Sequence, residues 1–349
     1  MRKSIVVFLF ALLVVVLAIG CGSQSASDKK GAVAPAKAAT GSAAMDPQNL
    51  PHLTVVTAPL GSGWYPISVL FGEFWMNSVK GLNVSVQEGG SVANIKAISR
   101  GVDSNVGWCY TTDLNDARKG AGVFDKVYTD ALPIGATYPV WLNIITLPNS
   151  KVKSIEDLKK AKGNYGGVGS GSELAAQRLL EGYGFSYADI KAAGGSVEYG
   201  NYVDAAQQLQ DGIIDVMLAG GSPEVPPVRE VEARKQVHLI PAEPAKLQNV
   251  LDKGYVYITK RPIPAGTYKG QTEPVPAIAY QSVVVVNRNL PDDLVYIMTR
   301  EIWANIETIR REQPARGNLM DISTALEGVN IADLHPGAAR FYREKGMIK

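Results

Sequence analysis

Loops that combine glycine with serine follow several predicted strands, and each of these loops opens a predicted helix. They contain Gly61-Ser62-Gly63, Glu88-Gly89-Gly90-Ser91, Gly169-Ser170-Gly171-Ser172-Glu173 and Ala219-Gly220-Gly221-Ser222. Ligands of open parallel sheets lie beyond the carboxyl ends of the strands, where helix N-termini present unpaired N–H groups and a positive dipole end. Hydroxyls and backbone amides in this arrangement predict a binding site for a small anion.

Each loop also has a purely structural interpretation, and the sequence leaves both open. Ser170 and Glu173 fit a capping box, which would only satisfy the start of a helix. Ser91 fits the N-cap position of the helix that follows it. The glycines at 220 and 221 are also typical of a tight turn after a strand.

Patterns that would nominate a catalytic or metal centre are missing from the sequence. There is no G-x-S-x-G elbow and no G-x-x-x-x-G-K-[ST] phosphate loop. The three histidines are far apart, and two cysteines exclude a disulfide scaffold or a cysteine-based zinc cluster. Cys109 is predicted to be a small buried hydrophobic residue. We therefore predict no catalytic residue, no metal ligand and no cofactor.

The charge balance argues against a general nucleic-acid-binding function. The chain has 35 Lys and Arg against 33 Asp and Glu, and two of its basic residues lie within the first 20 positions. The remainder balances at 33 to 33, whereas binding to phosphate backbones requires a basic excess. Hydrophobic residues at 46% and charged residues at 19% are typical of a globular chain.

The N-terminus is typical of an exported lipoprotein. Residues 1–20 begin with two basic residues and continue as an apolar run that is short for a membrane-spanning helix. The segment that ends in Cys21 looks like a bacterial lipoprotein box, so Cys21 is predicted to carry the lipid. Residues 21–50 are then a flexible linker. The alternative is an uncleaved membrane anchor with an incidental cysteine.

Strands alternate with helices along the rest of the chain, which predicts an α/β fold with mainly parallel sheets. The pattern occurs twice, and apolar runs near 142–148 and 277–287 predict two crossings between two lobes. We predict a first lobe of residues 52–143 plus 282–349 and a second lobe of residues 144–281. Loops from the two facing lobes would enclose a cleft.

Seven motifs in this order make the sequence similar to one family of receptors. They are Gly61-Ser62-Gly63-Trp64-Tyr65-Pro66, Gly89-Gly90-Ser91-Val92-Ala93-Asn94, Lys153-Ser154-Ile155-Glu156-Asp157-Leu158, Gly169-Ser170-Gly171-Ser172-Glu173, Ile263-Pro264-Ala265-Gly266-Thr267-Tyr268, Asn289-Leu290-Pro291-Asp292-Asp293-Leu294 and Leu334-His335-Pro336-Gly337-Ala338. Over residues 53–349 the chain resembles the TAXI-type solute-binding receptors of tripartite ATP-independent periplasmic (TRAP) transporters.

The resemblance implies a type II periplasmic-binding-protein fold, in which two lobes close on a small solute. It implies that the chain is not an enzyme but captures a small organic anion, glutamate-like or dicarboxylate, and delivers it to an ion-gradient-driven permease. The ligand-binding positions it implies are Gly61, Ser62, Trp64, Tyr65, Ser91, Asn94, Asp113, Gly169, Ser170, Gly171, Ser172, Glu173, Gly221 and Ser222. We expect a monomer outside the cytoplasm, attached to a bacterial membrane through its N-terminal lipid.

The sequence departs from the family pattern at the first two loops. Trp64 replaces a small residue, so it would narrow the pocket or offer a stacking face. Glu88 stands where a small neutral residue is common, and its carboxylate would repel an anion if it pointed inward. None of the loop motifs contains an arginine, so recognition by amides, hydroxyls and helix ends is expected.

Two other functions remain as alternatives. A ligand-sensing lipoprotein would use the same cleft but signal to a membrane receptor. An exported enzyme on the same fold would draw its acids from Glu88, Asp113 or Glu173.

Overall fold

The computed structural model describes residues 50–255 and 258–349. The predicted signal peptide and the predicted lipidation site at Cys21 lie outside the described residues, as does nearly all of the predicted linker.

Ten strands and twelve α-helices alternate along the described chain. The strands are β1 (Leu53–Val56), β2 (Val84–Gln87), β3 (Val106–Tyr110), β4 (Ala131–Thr146), β5 (Lys162–Asn164), β6 (Ser196–Glu198), β7 (Val216–Gly221), β8 (His238–Leu239), β9 (Ile258–Lys260) and β10 (Ile278–Asn287). The helices are α1 (Trp64–Ser78), α2 (Ser91–Arg100), α3 (Thr111–Lys119), α4 (Gly171–Gly182), α5 (Tyr187–Ala192), α6 (Tyr202–Asp211), α7 (Val228–Glu232), α8 (Pro244–Asp252), α9 (Asp292–Ala304), α10 (Ile306–Glu312), α11 (Pro314–Gly317) and α12 (Pro336–Glu344).

One sheet runs through the whole body in the order β2-β1-β3-β10-β4-β7-β5-β6, with β8 added to β4 and β9 to β10. Strands β1, β2 and β3 pair in parallel, as do β5, β6 and β7, while β4 and β10 are antiparallel to each other. The two predicted crossings are therefore β4 and β10. We call β1–β3 with α1–α3 and α9–α12 the first lobe, and β5–β8 with α4–α8 the second lobe. The predicted two-lobe α/β fold is confirmed, whereas its exact domain boundaries stay a prediction.

The crossing strand β4 is longer than the sequence predicts. The apolar pattern of residues 140–147 predicts only the second half of β4. Proline and glycine are unusual inside a strand, so Pro133, Gly135 and Pro139 keep the first half from being predicted. All sixteen residues of β4 are buried, since helices cover both faces of the sheet. The register with β10 shifts at two places, which accommodates these irregular residues.

The C-terminal helices also differ from the sequence prediction. The apolar pattern of residues 294–309 predicts one helix, but the structure divides it into α9 and α10 at Asn305. The Asn305 side chain donates a hydrogen bond to the Glu301 carbonyl at 2.9 Å, a local bond that competes with the helix ladder. The chain then turns through α11, which returns residue 316 to the space between the lobes.

Candidate functional site: a cavity between the lobes

A cavity lies where the carboxyl ends of the parallel strands of both lobes meet. The space between its walls is about 380 Å³, part of which is open to solvent. The first lobe and the crossing strand β4 supply Ala58, Pro59, Ser62, Gly63, Trp64, Tyr110, Tyr138, Val140 and Arg316. The second lobe supplies Ser170, Gly171, Ser172, Tyr202, Gly220, Gly221 and Ser222. Glycine- and serine-bearing loops from separate lobes thus converge on one space, as the sequence predicts.

Half of the residues singled out from the sequence line this cavity. They are Ser62, Trp64, Ser170, Gly171, Ser172, Gly221 and Ser222. The other half lie in the same loops and helices but are not among its lining residues. They are Gly61, Tyr65, Ser91, Asn94, Asp113, Gly169 and Glu173. Ligand contact by any of these fourteen stays a prediction.

Asn94 connects the loops instead of facing the cavity. Its amide donates to the carbonyls of Thr57 at 2.6 Å, Trp108 at 2.7 Å and Val56 at 3.2 Å. Its side-chain oxygen accepts from the Gly90 N–H at 3.0 Å. The side chain is buried, so these bonds hold the ends of β1 and β3 against the start of α2.

Ser91 and Asp113 belong to a buried ion-pair network that joins the lobes. The Ser91 hydroxyl donates to Asp113 Oδ2 at 2.5 Å and accepts from the Tyr110 N–H at 3.0 Å. Arg178 of α4 reaches across from the second lobe, with Nη1 2.8 Å from Asp113 Oδ1 and Nη2 2.9 Å from Asp116 Oδ2. Burial by itself would lower the pKa of the Arg178 guanidinium. The attraction of the Asp113 and Asp116 carboxylates is larger, so the pKa is raised above its usual value. The predicted N-cap role of Ser91 is wrong, because Gly90 occupies that position.

The Ser170 loop fulfils part of the predicted capping box. The Ser170 hydroxyl accepts from the Glu173 N–H at 3.2 Å, which satisfies one free donor at the start of α4. The Glu173 carboxylate does not close the box; it accepts from the Gly169 N–H at 3.3 Å and from the Gln177 amide. Glu88 is exposed, so its carboxylate is not among the groups that face the cavity.

A chain of hydroxyls forms the wall contributed by the second lobe. Tyr202 donates to Ser172 Oγ at 2.7 Å, and Ser172 Oγ lies 3.1 Å from Ser170 Oγ. The Gly220 N–H donates to the Tyr202 hydroxyl at 3.0 Å. Burial raises the pKa of Tyr202, so its phenol stays protonated and neutral.

Aromatic rings form the wall contributed by the first lobe. Trp64 stacks on Trp108 with 5.8 Å between ring centroids and meets the edge of Tyr110 at 5.2 Å. Tyr110 stacks on Tyr280 at 5.2 Å. Burial raises the pKa of Tyr110 and of Tyr138, so both phenols remain uncharged. Trp64 therefore lines the cavity in a position that its aromatic neighbours fix, while its narrowing of the pocket or stacking on a ligand stays a prediction.

Arg316 is the residue that sequence reasoning missed. Its side chain is buried in the cavity wall, and Nη1 donates to Gln313 Oε1 at 3.3 Å. Its Nε and Nη2 are buried without a hydrogen-bond partner among the described residues, and so are the nearby Ser62 and Tyr138 hydroxyls. Nε and Nη2 share one edge of the guanidinium, the fork that holds a carboxylate in two parallel hydrogen bonds. The sequence around Arg316 gives one weak sign of its role, an arginine two residues after Pro314. This position is about 30 residues beyond the end of β10 along the chain.

Gly63 makes room for this guanidinium. A Cβ atom built on Gly63 would lie 2.0 Å from Arg316 Nε and 2.9 Å from Nη2. The backbone of Gly63 is in the ordinary right-handed region, with φ −75° and ψ −15°, so conformation alone does not require glycine there. Glycine is required at position 63 because the Arg316 guanidinium lies too close to leave room for a Cβ atom.

The lobes touch on both sides of the cavity, which defines a closed arrangement. The Tyr202 N–H donates to the Leu60 carbonyl at 3.1 Å, and the Val92 N–H donates to the Gly169 carbonyl at 3.4 Å. Each bond joins a loop or helix start of one lobe to the other lobe. With the Arg178 ion pairs, they leave the cavity enclosed by both lobes.

Within residues 50–255 and 258–349, no three histidine, cysteine or acidic side chains are grouped so that they could hold a metal ion. Across the same residues, every helix is too short or too polar to cross a bilayer.

Two α/β lobes with a cleft between them are the fold of periplasmic binding proteins. Residues 55–346 match the NMT1-like family over nearly the whole body, and the chain belongs to that family. The periplasmic binding protein BugD has the same fold, with a TM-score of 0.50 at 16% identity over 84% of this chain and 97% of BugD.

Two further solved structures are also similar to this chain. One is described as a periplasmic transporter, with a TM-score of 0.47, 14% identity and coverage of 85% of this chain and 97% of that one. The other is the alkanesulfonate-binding protein SsuA from Xanthomonas axonopodis pv. citri bound to MOPS, with a TM-score of 0.47, 14% identity and coverage of 84% of both chains.

Proposed function

We propose that this protein is an extracytoplasmic solute-binding receptor that captures a small organic anion between its lobes and delivers it to a membrane permease. One observation carries the proposal: Arg316, which lines a cavity between the lobes, has a buried guanidinium whose Nε and Nη2 have no hydrogen-bond partner among the described residues. A buried charge without a counter-charge is costly, so the site is complete only when an anion occupies it.

Ligand binding would select the closed arrangement. Arg316 and Trp64 come from the first lobe, whereas Ser172 and Ser222 come from the second, so only the closed form offers all of them together. The ligand shifts the equilibrium by the difference between its affinities for the closed and open forms. The permease would then recognise the surface that closure creates.

The permease is proposed to be of the TRAP type, with this chain as its TAXI-type receptor. The seven sequence motifs support this assignment, and the lipoprotein box at Cys21 supports attachment to the membrane through lipid. Lipid attachment would keep the receptor close to its permease.

A ligand-sensing lipoprotein is the alternative, since it needs the same cleft and the same closure. Uptake of a labelled ligand into vesicles that contain the permease separates the two. Transport that depends on this protein supports the first function, whereas ligand-dependent signalling without transport supports the second.

Native mass spectrometry of the purified protein tests the proposal directly. We expect a bound small anion that is released chemically unchanged when the protein is denatured. Chemical conversion of the ligand would instead indicate an enzyme, and a protein that binds no small molecule in this experiment or in a thermal-shift screen of organic acids would refute the receptor.

A further inference from the structure

We infer that the ligand is a short 2-oxo or 2-hydroxy monocarboxylate, without an ammonium group and without a second acid. The carboxylate would lie on the Nε and Nη2 edge of Arg316. This inference rests on the proposed receptor function, and it replaces the glutamate-like or dicarboxylate ligand that the family resemblance implies with a monocarboxylate.

The charges around the cavity favour a single negative charge. Arg316 is the one charged side chain among the described residues that line it. One guanidinium neutralises one carboxylate. A second carboxylate would be buried against neutral hydroxyls and aromatic rings, and it would lose its hydration without a counter-charge.

An ammonium group has no anionic partner in this cavity. Asp113 and Glu173, the acids in the first turns of α3 and α4, have other partners: Asp113 pairs with Arg178, and Glu173 accepts from Gly169 and Gln177. The lining phenols of Tyr110, Tyr138 and Tyr202 stay neutral because of their burial. A zwitterionic amino acid would therefore bury an unpaired cation beside Arg316.

The neutral groups of the wall suit an oxygen substituent next to the carboxylate. Ser62 and Tyr138 each have a buried hydroxyl without a partner among the described residues, and both line the same cavity as Arg316. A keto or hydroxyl oxygen accepts from such donors, because a hydroxyl hydrogen rotates to suit its acceptor. Val140, Ala58 and Pro59 add apolar surface for a short hydrocarbon end.

Isothermal titration of the full chain with matched acids tests this inference, after co-purified ligand has been removed by reversible denaturation. Pyruvate, lactate and alanine share one carbon frame and differ at C2, while oxaloacetate and malate add a second carboxylate to that frame. 2-Oxobutyrate and 2-hydroxybutyrate extend the apolar end by one carbon. We expect the 2-oxo or 2-hydroxy monocarboxylates to bind at least about 100-fold more tightly than alanine and than the dicarboxylates, because a buried unpaired charge is strongly rejected.

Arg316→Gln should abolish measurable binding of these acids without lowering the melting temperature, because it removes an unpaired buried charge. Arg311→Gln is the matched control: it lies five residues away, has an exposed side chain and forms an ion pair with Glu312, so binding should be unchanged. Arg316→Lys, which keeps the charge and loses the fork, should give an intermediate affinity.

Tighter binding of alanine, malate or oxaloacetate would overturn the inference, as would undiminished binding by Arg316→Gln. If none of the acids binds but native mass spectrometry finds another small molecule, the inference fails and the receptor function survives. If the protein binds no small molecule at all, the receptor function fails as well.

Discussion

Arg178 of α4 and Asp113 of α3 come from different lobes, and their side chains meet at 2.8 Å in a buried ion pair. Asp116 holds the other terminal nitrogen of the same guanidinium at 2.9 Å. Neither Arg178 nor Asp113 is among the residues that line the cavity, so this pair joins the lobes outside the cavity wall. Arg178 and Asp113 are paired only when the lobes meet, so the closed arrangement depends on the alignment of these two side chains.

We expect Arg178→Gln and Asp113→Asn each to weaken ligand binding by roughly 10- to 100-fold, because they lower the population of the closed form. Small-angle X-ray scattering with saturating ligand should show a larger radius of gyration than for the wild type. The double variant should recover part of the affinity, because it leaves no unpaired charge at position 113 or 178. Arg229→Gln, which breaks an ion pair within the second lobe, is the control. Unchanged affinity in both single variants would show that the pair has no part in closure.

The contact between Gly63 and Arg316 gives a second prediction. Gly63→Ala places a methyl group where the guanidinium lies, so we expect the affinity for ligand to fall by at least about tenfold, or about 1.4 kcal/mol. Alanine can adopt the φ and ψ of this residue, so we expect stability to fall only by the cost of moving the buried guanidinium, about 1–3 kcal/mol. In an Arg316→Lys background, where binding is weaker but still measurable, the same substitution should cost less affinity, because lysine lacks the planar guanidinium. Equal losses in both backgrounds would mean that Gly63 acts independently of Arg316.

Substitutions of Asn94 and Ser172 should have different effects: the first should lower stability, and the second should weaken ligand binding. Asn94→Ala removes four hydrogen bonds that tie buried loops together, so we expect the free energy of unfolding in urea to fall by about 2–4 kcal/mol. Asn83→Ala, at an exposed position with one long hydrogen bond, is the matched control and should cost little.

Ser172→Ala should show the opposite balance. Ser172 lines the cavity, so we expect the ligand Kd to rise roughly tenfold while stability falls by less than about 1 kcal/mol. A loss of stability without a loss of affinity would mean that Ser172 serves only the start of α4.

The buried His335 should make the stability of the protein depend on pH. Its buried Nδ1 accepts a hydrogen bond from the Gly337 N–H at 3.2 Å, which requires a neutral ring. Burial lowers the pKa of His335, although Asp292 partly opposes this. The unfolded chain therefore gains a proton below about pH 6.5 that the folded chain does not, so stability falls on acidification by up to about 1.4 kcal/mol per pH unit from this residue.

His335→Asn keeps an acceptor at the start of α12 but cannot titrate. Urea unfolding between pH 7.5 and 5 should therefore give a shallower slope of stability against pH for this variant than for the wild type. Parallel slopes would contradict the role of His335.

Much of the architecture follows from local sequence. Alternating apolar residues in β1 and β2 and the glycine turns before α2 and α4 specify strand, loop and helix within a few residues of each other. The parallel strands then place their loops at one edge of the sheet, which is why Ser62, Ser172 and Ser222 converge as predicted. The same pattern did not distinguish loop residues that face the cavity from those, such as Asn94, that hold the loops together.

The amino-acid sequence by itself determined the α/β class, the two lobes and the small, hydroxyl-rich loops that meet between them, because those features depend on periodicity and turn chemistry over short stretches. Only the tertiary structure decided the charge of the site. Arg316 reaches the cavity because the chain returns through β10 and bends at Asn305 and α11, and Tyr138 reaches it from the middle of a crossing strand. Contacts between residues far apart along the chain leave no local pattern, so only the packing reveals which buried arginine lines the cavity.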